Sequence, residues 1–153
     1  MTSAQIAFGL GEHEDAARAL LRSEWTQAEL PSPVNDPRFW TMTCPDLSGL
    51  AGLAVVANGF KGAQAADGPR PYRPVLEYLV IDRRVRDRRL GRRLARHVLQ
   101  EVLTDADEVI VEVERERVGA VRFWTEHLQC AVAPDSEQTA EKVMRLRWPP
   151  ADR

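Results

Sequence analysis

The stretch RVRDRRLGRRLARHVL, residues 84–99, sets a single glycine, Gly91, among arginines where an apolar strand pattern gives way to an amphipathic helix pattern. Successive backbone N–H groups at such a turn point outward, and the helix dipole adds partial positive charge, which makes an anion site. A diphosphate held by main-chain donors would gain charge-assisted bonds from the guanidinium groups. The same residues also read as a solvated basic helix face. Two glutamates interrupt apolar strand patterns nearby: Glu77 in VLEYLVI (75–81) and Glu112 in DEVIVEVER (107–115). A strand carboxylate beside a cleft suits a general base, whereas at a sheet edge it is a salt-bridge partner. His127 falls on the outer side of a short helix and reads as a surface histidine.

The elements that must position these groups follow from periodicity. Residues 4–9 read as a first strand. Residues 13–25 read as a helix, with Ala16, Ala17, Leu20, Leu21 and Trp25 at helical spacing and acidic residues in the first turn. The proline-rich 30–37 reads as irregular, and 38–44 and 50–60 as two strands of a hairpin. The Gly-, Ala- and Pro-rich 61–74 is a long loop of the kind that often serves function. Then come a strand at 75–81 and a helix at 88–103 with Leu90, Leu94, Val98 and Leu99 on one face. A β-branched strand at 107–115, a short helix at 119–128 and a closing strand at 142–148 complete the order. This is an α/β mixed sheet with helices on its faces.

Composition bounds the function. With 153 residues, 44% apolar and 29% charged, the chain reads as one globular domain spanning 1–153. Apolar runs fall well short of the ~20 residues of a membrane span, and the first 20 residues do not read as a secretory leader. Cys44 and Cys130 read as half-buried thiols of a cytoplasmic protein, and no metal cluster is expected. The net charge of −2 argues against a nucleic-acid partner, since such proteins carry a basic balance across the domain. A local cationic spot suits a small polyphosphate better.

The wider pattern LVIDRRVRDRRLGRRLARHVL resembles the central motif of the GNAT superfamily of acetyl-CoA-dependent N-acyltransferases, V-x-P-x-Y-R-x-x-G-x-G/A between a strand and a helix. Ile81 takes the strand-end valine, Arg86 the arginine, Gly91 the last glycine and Leu94 the following apolar position. Downstream, VIVEVERERVGAVRFWTEHLQC is similar to the family's second signature, with Glu112, Val113 and Ala120 at matching spacing. The resemblance implies a GNAT-like fold whose fourth and fifth strands splay. It places the pantetheine arm of acetyl-CoA against the backbone of Leu79, Val80 and Ile81, and the diphosphate on the turn Arg86, Asp87, Arg88, Arg89, Leu90, Gly91 and Arg92. The Leu79 amide would polarise the thioester carbonyl, a contribution of ~3 kcal/mol for one such donor. An amine would attack directly, with Glu112 or Glu77 taking its proton, directly or through water. Both glutamates stand where particular family members carry one.

The chain departs from the family in four places. Arg89 replaces the first glycine of the pair, where close approach of the backbone is less free. Arg117 replaces an asparagine near the pantetheine. Trp124 stands where many members carry a tyrosine acid, and an indole N–H donates without transferring its proton. Gln129 and Cys130 replace Gly-Phe. A missing general acid is worth ~10²–10⁴-fold, so slower turnover is one reading and a non-catalytic acyl-CoA-binding or partner-binding module is another.

Trp25, Phe39 and Trp40 are candidates for an acceptor pocket, or for core packing. Glu29 and Asp36 in one loop, and Lys61, Arg70 and Arg73 in another, outline no clear acidic cleft. The acceptor is accordingly read as a small-molecule or peptide amine, with an aminoacyl-tRNA as a narrower alternative, and the protein as a monomer or homodimer.

Overall fold

In the computed structural model, which describes residues 4–31, 37–58, 74–132 and 143–149, the order of the sheet is β1-β2-β3-β4-β5-β7-β6. The strands are β1 (Gln5–Phe8), β2 (Arg38–Thr43), β3 (Gly52–Asn58), β4 (Pro74–Ile81), β5 (Val109–Glu114), β6 (Ala131–Val132) and β7 (Val143–Trp148). Every neighbouring pair is antiparallel except β4 and β5, which run parallel. A parallel pair needs a crossover. Helix α2 (Leu90–Val102) supplies it. The short β6, which periodicity does not reveal, pairs only Ala131 and Val132 with β7.

The two faces of the sheet hold separate cores. Leu90, Leu94, Ala95, Val98, Leu99 and Val102 recur at helical spacing and bury one stripe of α2 against Leu76, Ile81, Val109, Val111 and Val113. On the other face, Ala17, Leu20 and Leu21 of α1 (Glu14–Glu24) pack on Leu53, Val55 and Val80. Trp40 is only 1% exposed and its indole N–H donates to Glu101 Oε2 at 2.6 Å, which ties the end of α2 to β2. Trp40 is therefore a core residue rather than a pocket wall. Phe39 packs against the α1 core. Cys44 and Cys130 are both fully buried rather than half-buried.

β4 carries the feature that shapes the cleft. Val55 pairs with Tyr78, yet Val56 pairs with Leu76, so Glu77 is an extra residue in a β-bulge. Leu76 packs into the α2 core and Tyr78 against the α1 core; Glu77 stands between them. Pairing with β5 stops at the same place, with Val75↔Ile110 and Leu76↔Val111 alone in register. Beyond Leu76 the two strands part.

The helix after β4 starts later than its periodicity implies. Residues Arg83–Arg88 form a 3₁₀ turn capped by Asp82, whose carboxylate accepts from the Arg84 amide at 2.9 Å, and α2 begins at Leu90. The short helix downstream is α-helical over Val118–Arg122 (α3) and then widens into a π-helical turn, Phe123–His127, closed by Leu128 N–H to Phe123 O at 3.2 Å. No helix among the described residues is long and apolar enough to cross a membrane.

Candidate active site

The gap between β4 and β5 is lined by main chain as well as side chains. Asp82 N–H donates to Ala51 O at 2.8 Å. In an antiparallel pair the hydrogen-bonded and open positions alternate, so Val80, opposite Leu53, also bonds to β3. Leu79 and Ile81 fall at the open positions and aim their N–H and C=O groups at the other edge, into the gap. Arg86 Nε donates to Ile81 O at 3.0 Å on that edge.

One cavity, of about 600 Å³, opens on the α2 side of the gap. Its walls include Leu79, Val80, Ile81, Arg86, Arg89, Gly91, Arg92, Arg117 and Trp124. The first amides of an α-helix lack intrahelical acceptors. In α2 these are Leu90, Gly91 and Arg92, with Arg93 N–H the first to bond back, to Arg89 O. A Cβ on Gly91 would lie 3.5 Å from Ile81 Cγ1 and 3.7 Å from the Phe123 ring, so the glycine leaves room that a side chain would fill. Arg89 takes the left-handed conformation, φ 60°, at the position where the motif has glycine. Such a conformation costs a non-glycine residue ~1–2 kcal/mol. Arg92 and His127, on the same cavity wall, are 2.7 Å apart between Nη2 and Nδ1. Asp87 and Arg88 belong to the same 3₁₀ turn.

Two arginines assigned to the cofactor by motif have an internal partner that motif reading missed. Glu24, at the end of α1, has a side chain only 13% exposed and pairs with Arg86, with Arg83 at 3.6 Å and with Arg117 at 3.5 Å. Burial raises the Glu24 carboxyl's pKa, but the Arg86 hydrogen bond and the charges of Arg86 and Arg83 outweigh it, and the net shift is downward. Arg117 also donates to Glu24 O at 3.1 Å, meets Glu114 at 3.2 Å and lies 4.9 Å over the Trp25 ring. The end of α1 thus bridges the gap, holding β4 through Arg86 and the β5–α3 corner through Arg117.

A second cavity, of about 730 Å³, opens beside the first. Glu77, Glu112 and Glu114 line it together with Trp25, Tyr78 and Leu79. The loops outline no clear acidic cleft, but three strand carboxylates share this cavity wall, two of them paired with arginines: Glu112 with Arg145 and Glu114 with Arg117. Glu112 accepts from Arg145 Nη2 at 3.2 Å, the salt-bridge alternative weighed for it, while remaining on the cavity wall. Trp25 donates its indole N–H to Glu114 Oε1 at 2.7 Å and packs on Tyr78 with ring centroids 5.2 Å apart. Burial, then the charges of Glu77, Glu112 and Glu114, raise the Tyr78 phenol above its usual pKa, so it stays protonated. Trp124, 5% exposed, closes the far wall of both cavities. Among the described residues no group of three or more His, Cys, Asp or Glu is arranged to hold a metal. Asp36, Lys61, Arg70 and Arg73 lie outside the described residues.

The model of the Acetyltransferase (GNAT) family matches residues 12–128, and the chain belongs to that family. Among solved structures, the ribosomal-protein-S18-alanine N-acetyltransferase from Escherichia coli superposes with a TM-score of 0.63 at 15% identity, covering 99% of this chain and 96% of that one. Arabidopsis thaliana NAA60 in complex with acetyl-CoA gives 0.65 at 9% identity, covering 95% and 96%. The aminoglycoside N-acetyltransferase AAC(6')-Iy in complex with CoA gives 0.62 at 12% identity, covering 82% and 86%. At these identities the likeness is one of fold. No curated protein matches the chain by sequence.

Proposed function

We propose that this chain is an N-acyltransferase that moves an acetyl group from acetyl-CoA to a primary amine in a ternary complex. One observation carries the reading: two cavities beside the β4–β5 gap share Leu79 and Trp124 as walls, with the first turn of α2 at one end and carboxylates at the other. The fit of the coenzyme rests on the room left at Gly91 and on the first turn of α2, whose leading amides have no intrahelical acceptor and no side-chain cap at Arg89.

In this reading those amides, with Arg89 and Arg92, hold the diphosphate, and the outward backbone groups of Leu79 and Ile81 hold the pantetheine arm. The coenzyme supplies an activated acyl group as a thioester. The Leu79 N–H faces the position where negative charge develops on the acyl oxygen. Glu112, steadied by Arg145, and Glu77, at the bulge, stand on the acceptor side to take the amine's proton directly or through water. Trp124 donates a hydrogen bond at most, so the departing thiolate takes its proton from solvent. The acceptor is a small-molecule or peptide amine, and the carboxylate-lined wall favours one that is protonated before it reacts.

Calorimetry with coenzyme A and acetyl-CoA tests the binding half, and thiol release on adding a panel of amines tests the chemistry. Folded protein that binds neither ligand at millimolar concentration refutes the proposal. Glu112→Gln and Glu77→Gln then assign the base: the essential one loses about 10²-fold or more in turnover. If both variants match the parent, neither carboxylate is the base.

A further inference from the structure

We propose that Trp25 limits the length of the acyl chain this cleft accepts, so that short acyl thioesters bind in preference to long ones. The inference rests on the acyltransferase reading and concerns a residue the motifs do not touch. The two cavities share five walls: Trp25, Leu79, Arg117, Ala120 and Trp124. A thioester entering from the α2 side and an amine entering from the carboxylate side meet at those walls. The acyl group therefore sits among two indoles, a guanidinium, one alanine and the Leu79 backbone.

The Trp25 ring is pinned from both sides of the gap. Its N–H donates to Glu114 Oε1 at 2.7 Å, from β5. The Arg117 guanidinium lies 4.9 Å over its face, from the N-terminus of α3. Tyr78 of β4 packs against it at 5.2 Å. Turning the indole aside would break the bond to a partly buried carboxylate and uncover the ring beneath Arg117. Trp124, another of the shared walls, is only 5% exposed and packed edge-on against Phe123. A long acyl chain that reaches these walls meets a fixed ring instead of a side chain that can yield.

The experiment is a calorimetric series with coenzyme A and its acetyl, propionyl, butyryl and hexanoyl thioesters, on the parent protein, Trp25→Phe and Trp25→Ala. The parent is expected to bind hexanoyl-CoA at least about tenfold more weakly than acetyl-CoA. Trp25→Ala is expected to abolish that difference, read within the variant as the ratio of its hexanoyl-CoA to its acetyl-CoA affinity, whatever its affinity for coenzyme A itself. Trp25→Phe, which keeps a ring but lacks the N–H, is expected to keep most of the discrimination. Equal affinity of the parent for hexanoyl- and acetyl-CoA overturns the proposal without any variant. So does undiminished discrimination in Trp25→Ala that still binds coenzyme A. Failure of the parent to bind coenzyme A at all is a different result, which removes the acyltransferase reading and this inference together.

Discussion

Replacing Glu24 by glutamine should lower the stability of the protein and raise its affinity for coenzyme A. Glu24 is flanked by Arg83, Arg86 and Arg117 with its own side chain 13% exposed, so its carboxylate is the common counter-charge of three guanidinium groups. Hydrogen bonds to charged groups contribute ~1.5–3 kcal/mol, and exposed ion pairs ~0–1. Arg83 and Arg86 are 71% and 45% exposed, which puts this cluster toward the lower figures. The carboxylate also sits at the C-terminal end of α1, where the helix dipole opposes it by ~0.5 kcal/mol. The net loss in Glu24→Gln at pH 7 is about 1 kcal/mol, a fall in Tm of roughly 2–4 °C. Because the folded-state pKa lies below the ordinary glutamate value of 4.5, the contribution is present above pH 4.5. It is lost as pH falls through the folded pKa, so the stabilities of parent and variant converge in acid. Glu24 also lines the cavity assigned to the coenzyme. A unit charge about 8 Å from a phosphate, at an effective dielectric of about 40, repels it by ~1 kcal/mol, so removing it tightens binding about fivefold. Thermal melts between pH 3.5 and 7.5 and calorimetry with coenzyme A read both signs. Weaker coenzyme binding in the variant would refute the reasoning, because Glu24 would then be organising the arginines for the ligand and not competing with it.

Arg89→Gly relieves a left-handed residue by ~1–2 kcal/mol while freeing the unfolded chain by ~0.5–1, so chemical denaturation should show a variant equal to or slightly more stable than the parent. Its coenzyme affinity should fall, since a cation leaves the cavity wall. Gly52→Ala brings a Cβ to 2.8 Å from Ile81 Cδ1 and 3.3 Å from Leu94 Cδ2, and should destabilise by ~1–3 kcal/mol in the same assay. Burial pushes the Cys130 thiol up to about 12, so it should resist a thiol reagent at pH 8 until the protein is unfolded; prompt labelling of native protein at Cys130 would contradict its burial.

What could be read from the chain beforehand was what is local in it. The strand, turn and helix from Val75 to Val102 lie in one continuous segment, and the burial of α2 follows the spacing of Leu90, Leu94, Val98 and Leu99. The start of α2 was misjudged because Arg83–Arg88, rich in good helix formers, is held as a 3₁₀ turn by the Asp82 cap. The bridge across the gap was illegible because its contacts span 62 positions from Arg86 to Glu24 and 89 from Trp25 to Glu114. One signal did exist. A glutamate in the last turn of a helix opposes the dipole, and that placement calls for a cation from elsewhere. The acidic wall was missed because its members come from two strands; each glutamate taken singly looks like an edge residue. Trp25, Phe39 and Trp40 had equal standing as aromatic pocket candidates, and only the sheet order decides that Trp25 faces the gap while Trp40 is enclosed beneath α2.

The bulge at Glu77 has a mechanical consequence. β4 breaks its register with β3 at Glu77 and pairs with β5 no further than Leu76, so both ladders are interrupted at the same place. A sheet interrupted in this way bends most readily along that line, and a change of angle there alters the width of the crevice. Amide exchange should be fastest within β4 along that line, and a ligand that wedges the crevice open should slow it.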